Sequence, residues 1–60
     1  MIRVIYKGRP VEAHLVIRES LFIELRESYP QKVVMITDEY GNNKPVEISE
    51  LLLPCEHRLA

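Results

Sequence analysis

Tryptophan is absent from this 60-residue chain, phenylalanine and cysteine occur once each, and glycine occurs twice. Each scarcity removes a class of explanation. A lone Cys55 excludes an internal disulfide, and with His14 and His57 it gives three thiol or imidazole ligands where a structural zinc site takes four. No metal or cofactor is therefore expected, and stability has to come from packing. Gly8 and Gly41 stand apart, so there is no glycine-rich phosphate cradle. No apolar run approaches the roughly 20 residues that cross a bilayer. The first residues alternate polar and apolar where an export signal would be continuously apolar, and with one cysteine a cytoplasmic location is expected. Neither sign of charge dominates: 8 Lys and Arg stand against 9 Asp and Glu, so the molecule as a whole does not attract nucleic acid electrostatically. Nothing assembles a catalytic frame either. Asp38-Glu39 is a carboxylate pair on a loop, and Cys55-Glu56-His57 lies near the end of the chain without an oxyanion pocket. An enzyme is not expected.

What the chain has is alternation. Ile2-Arg3-Val4-Ile5-Tyr6 and Val11-Glu12-Ala13-His14-Leu15-Val16-Ile17 flank Lys7-Gly8-Arg9-Pro10. A hairpin with a loop of about four residues sets Tyr6 against Val11, Val4 against Ala13 and Ile2 against Leu15, all on one face. Lys32-Val33-Val34-Met35-Ile36-Thr37 reads as a central strand with both faces covered. Lys44-Pro45-Val46-Glu47-Ile48 reads as an edge strand, because Pro45 cannot donate to a ladder. Residues 49–53 read as a helical turn capped by Ser49 and stopped by Pro54. The stretch 19–29 supports two readings. As a strand over 21–26 it puts Leu21, Ile23 and Leu25 on one face. As a helix it makes a stripe of Leu21, Phe22, Leu25 and Tyr29 behind a Ser20 cap.

The preferred expectation is all-β, with five antiparallel strands at 2–7, 11–18, 21–26, 32–37 and 44–48. They would form one domain over 1–54, with a tail at 55–60. The alternative is α+β, ββαββ with a helix over 19–29. The order of elements, and the stretch Val46-Glu47-Ile48-Ser49-Glu50-Leu51, resemble the SH3-like small β-barrels. That resemblance implies a partly open barrel and carries no functional residue across.

Two functional classes follow. In the all-strand reading, Leu25 opposes Val33 and Ile23 opposes Met35, so Ile5, Val16, Phe22, Val34 and Ile36 fall outside the core. Such a patch is the mark of an interaction surface. The leading expectation is a non-enzymatic interaction or regulatory module, binding a protein or a second copy of itself in a homodimer. The alternative is a nucleic-acid module built on the basic first hairpin, using Arg3, Lys7, Arg9 and Arg18.

Overall fold

A computed structural model describes residues 1–14 and 18–57. Five strands make one antiparallel sheet: β1 (Ile2–Tyr6), β2 (Arg9–Ala13), β3 (Val33–Thr37), β4 (Asn43–Glu47) and β5 (Leu51–Leu52), in the order β4-β3-β2-β1-β5. The helix α1 (Glu19–Ser28) links β2 to β3, and a short helix α2 (Pro54–His57) follows β5. The sheet does not close. β4 and β5 are free edges, so the expected barrel is an open sheet with a helix packed on one face.

The first hairpin turns in two residues where four were expected. Lys7 and Gly8 both take positive φ, 51° and 80°, as a two-residue turn of type I′ demands. Tyr6 thus faces Arg9, and Val4 faces Val11. The register differs by two residues from the expected one, which keeps the side chains of Ile2–Tyr6 and Val11–Ala13 on their expected faces; the expected partner Leu15 lies outside the described residues. A lysine is an unfavourable occupant of left-handed backbone, and asparagine tolerates it better. Lys7→Asn is therefore expected to stabilise the fold by about 0.5–1 kcal/mol, read as a higher midpoint in urea with an unchanged slope.

Residues 21–26 are helical, as the alternative reading had it. The helix begins one residue before Ser20, with Arg18 as an extended N-cap lacking a side-chain bond and Glu19 in the first turn, where a negative charge suits the dipole. The ten residues of the helix, nearly three turns, place Phe22 and Leu25 on the sheet side. Ile23 is 38% exposed, the apolar residue left on the polar side of the stripe. Tyr29 caps the helix, donating its N–H to the Leu25 carbonyl at 2.7 Å, and Pro30 follows.

The helix decides which side of the sheet is inside. Val4, Val11, Ala13, Val34, Ile36 and Val46 line the covered face, with Phe22 fully buried above them. Ile48, Leu51 and Leu53 complete the core from the C-terminal stretch. Val34 and Ile36, expected outside, are inside; Val33 and Met35, expected inside, are 60% and 40% exposed. The reversal has one cause. No strand at 21–26 pairs with β3. Its parity is set by β2, where Ala13 faces Ile36.

The C-terminal stretch also departs from expectation. Ile48–Glu50 is a single 3-10 turn held by a capping box between Glu47 and Glu50. Leu51 and Leu52 then add a strand beside β1. Pro54 opens α2 instead of stopping a helix, since the first helical position has no use for an N–H. The expected boundary between domain and tail at 54/55 falls inside this helix. There Glu56 accepts two bonds from Arg26 of α1, at 2.8 and 2.6 Å, and one from the Leu53 N–H at 2.8 Å.

Candidate functional site

The five residues expected to form a partner surface do not come together. Phe22, Val34 and Ile36 are core, Ile5 lies half-buried on the far side of the sheet, and Val16 falls outside the described residues. Glutamate at Phe22 or Val34 would put a charge into the core and attack the fold itself. The surface that replaces them is the sheet face opposite α1. Its apolar members are Val33 and Met35 of β3 at one end, with Pro45 beside Met35, and Leu52 of β5 at the other, paired with Ile5; Met35 and Leu52 are each 40% exposed. Arg3 and Glu12 sit opposite each other across β1 and β2 in its middle. His14, at the end of β2, bonds through its ring to the Thr37 hydroxyl, which donates to Asn43 Oδ1 at 2.7 Å. No described element crosses this face.

Strand addition at the sheet edges is discouraged. Along β4 the ladder to β3 uses the N–H groups of Lys44 and Val46, so those of positions 43, 45 and 47 point outward. Position 45 is proline, and the Glu47 N–H donates to Glu50 Oε2 at 3.2 Å. β5 is only two residues long. Prolines, local caps and short strands are how natural sheets blunt their edges.

The basic residues of the nucleic-acid alternative divide. Arg3 lies on the open sheet face and Arg18 precedes α1, whereas Lys7 and Arg9 meet at the hairpin end. There they line a cavity of about 250 Å³ together with Tyr6, Tyr40 and Lys44. The cavity exists because β2 and β3 separate after Glu12 faces Thr37. The next ladder donor on that side of β2 would be Pro10, which has no N–H. Val11 and Ile36 form the floor, and Arg9 reaches across to Glu39 at 2.7 Å. The ammonium groups of Lys7 and Lys44 lie 5.4 and 5.1 Å from the centre of the Tyr6 ring. Sequence reasoning missed Lys44 and Tyr40, which reach the cavity from β4 and the loop before it.

Asp38, at the rim, is committed to its own loop. It accepts the backbone N–H groups of Asn42 and Tyr40, each at 2.9 Å. The bond from Asn42 is the main reason its carboxyl is held below the usual range, with the Tyr40 N–H and the Lys44 charge acting the same way. A second, shallower depression, at Leu25 and residues 28–32, follows α1 and gathers no charged side chain except Lys32. Among the described residues no three His, Cys, Asp or Glu side chains cluster as metal ligands, and no helix is long and apolar enough to cross a membrane. Comparison with protein-family models, curated proteins and solved structures gives no match.

Proposed function

We propose that the chain is a non-enzymatic interaction module that works as a homodimer, two copies packing their open sheet faces together. The observation that carries this reading is the face of β3, β1 and β5 that no described element crosses, with Val33 60% and Met35 and Leu52 each 40% exposed. A second copy suits it on three counts. The face measures about 360 Å² in plan, from four strands of five residues and one of two, about 4.8 Å apart and about 3.4 Å per residue. Two such faces cover about 700 Å² in plan, the size of a weak, reversible interface, below about 1,200 Å². The central Arg3 and Glu12 are self-complementary, so a two-fold axis can bring the arginine of one copy to the glutamate of the other. Because the edges are blunted, face packing remains the productive mode, and the resulting sandwich supplies the second core layer that a closed barrel would supply within one chain.

The carboxylates whose ionisation the fold perturbs, Asp38 and Glu56, serve as a loop brace and a helix cap, which supports a binding role over a catalytic one. The exposed thiol of Cys55 suits a reducing cytoplasm.

Solution mass tests the proposal. The wild type is expected to weigh twice 7.0 kDa at high concentration and to dissociate on dilution. Met35→Glu is expected to weaken association at least about 100-fold through buried unpaired charge, with the circular dichroism spectrum unchanged. A wild type that stays monomeric at about 1 mM sinks the reading.

A further inference from the structure

Tyr6, Val11, Ile36 and Lys44 line the cavity from the helix side of the sheet, so packing of the opposite faces leaves these side chains free. Its components come from three separate parts of the chain: the β1–β2 turn, the start of β2, and the loop and strand around Tyr40 and Lys44. Lys7 and Lys44 approach one aromatic ring from two of them, and neither makes an ion pair among the described residues, although the Asp38 carboxylate of the same lining feels the Lys44 charge. The ring attracts each ammonium, while the two repel each other. An anion in the cavity that both line is attracted by both charges, since three cationic side chains, Lys7, Arg9 and Lys44, outnumber the carboxylates of Asp38 and Glu39 there. Phosphate suits this best, as a compact group with several acceptor oxygens that point-charge lysines bind well.

A bare phosphate would leave the rest of the cavity unused. The floor is apolar, from Val11 and Ile36, and Tyr40 stands 77% exposed at the rim with its ring free to stack. The matching ligand has a flat, partly apolar body attached to a phosphate. At about 250 Å³, just under the usual lower bound of roughly 300 Å³ for ligand pockets, the cavity takes one such unit.

We infer that this cleft binds a nucleotide, its phosphate near Lys7 and Lys44 and its base against Tyr40. The ion pair between Arg9 and Glu39, exposed on both sides, works against the ligand, because Glu39 occupies a guanidinium that could otherwise reach the phosphate. The same chemistry arrives either as a free mononucleotide or as one residue of a single strand.

The test is a titration at low salt, followed by amide and aromatic NMR shifts, with AMP, UMP, an eight-residue single-stranded oligonucleotide and inorganic phosphate. Shifts at Tyr6 and Tyr40 are expected with the nucleotides. Lys44→Gln is expected to weaken binding about 10-fold, and Glu39→Gln to strengthen it about 3-fold, a gain that a merely structural ion pair would not produce. Affinity about 10-fold higher for the oligonucleotide, falling steeply with salt, assigns the cleft to a strand; equal affinities assign it to free nucleotides. The inference is overturned if no ligand shifts Tyr40 at millimolar concentration, if inorganic phosphate binds as tightly as AMP, or if neither substitution changes the affinity.

Discussion

Phe22→Ala is expected to unfold the chain at 25 °C. Phe22 is fully buried and is the one aromatic side chain of the core, and through it α1 is joined to the sheet. Truncating a buried phenylalanine costs about 3–5 kcal/mol, through lost transfer energy and the cavity left behind. A single core in a domain this small supplies roughly the same, about 3–5 kcal/mol. The two magnitudes meet, so the variant should show no cooperative thermal transition and reduced helical circular dichroism. Phe22→Leu keeps most of the volume and should cost less than about 1.5 kcal/mol, lowering the melting temperature by several degrees per kcal/mol. These comparisons require equal protein concentration, because self-association would raise apparent stability by mass action. A cooperative melt for Phe22→Ala within a few degrees of wild type would show that α1 does not rest on the sheet through this residue.

The same residue shows where the sequence speaks and where it is silent. The first hairpin is legible because its alternation is strict. Val4, Val11 and Ala13 are inside as the two-residue period requires. A register error of one turn type leaves them there, since a shift by two preserves faces. The turn itself is hard to read because a lysine occupies a left-handed position more often taken by asparagine, aspartate or glycine. The run Val33-Val34-Met35-Ile36 is apolar at every position, so its parity carries no information about which side is inside. That parity is set from outside the segment, by the pairing of Ala13 with Ile36 and by the helix above. Residues 19–29 balance helix propensity against the stray Ile23, and the decision comes from tertiary packing of Phe22 and Leu25. The expected partner patch failed with that one assignment: once α1 is a helix, Phe22, Val34 and Ile36 become mutual neighbours in the core. The cavity beside Tyr6 was half legible. Lys7 and Arg9 announce a basic hairpin end, but Lys44 and Tyr40 reach it through the pairing of β4 with β3, where Lys44 faces Ile36.

Removal of the clasp between Arg26 and Glu56 is expected to be the most pH-sensitive change in the molecule. Arg26 donates from both terminal nitrogens to the Glu56 carboxylate, at 2.8 and 2.6 Å, and also to the Leu51 carbonyl at 3.1 Å, with its guanidinium 5.0 Å from the Phe22 ring centre. One side chain thereby ties α1 to β5 and α2. The Arg26 bonds come first, and the Leu53 N–H second, among the causes that lower the Glu56 carboxyl from 4.5 to about 2. The same bond raises Arg26 above its ordinary value. A carboxyl lowered on folding contributes stability that is complete above its unfolded value, about 4.5, and is lost as pH falls towards about 2. For a bidentate, partly exposed pair that contribution is about 1–2 kcal/mol. Glu56→Gln should therefore lower stability at pH 7 by about that amount and flatten its decline between pH 4.5 and 2; the residual slope belongs to groups such as Asp38, whose carboxyl is lowered too. Arg26→Met keeps the packing over Phe22 and the Leu53 cap while removing the charge, so the Glu56 carboxyl should titrate nearer its ordinary value. Arg26→Lys should restore little, since an ammonium cannot make the paired fork. The measurement is the Glu56 carboxyl carbon shift followed by NMR from pH 7 downwards. A wild-type midpoint near 4.5 would mean that the clasp does not hold in solution and that α2 is not anchored to α1.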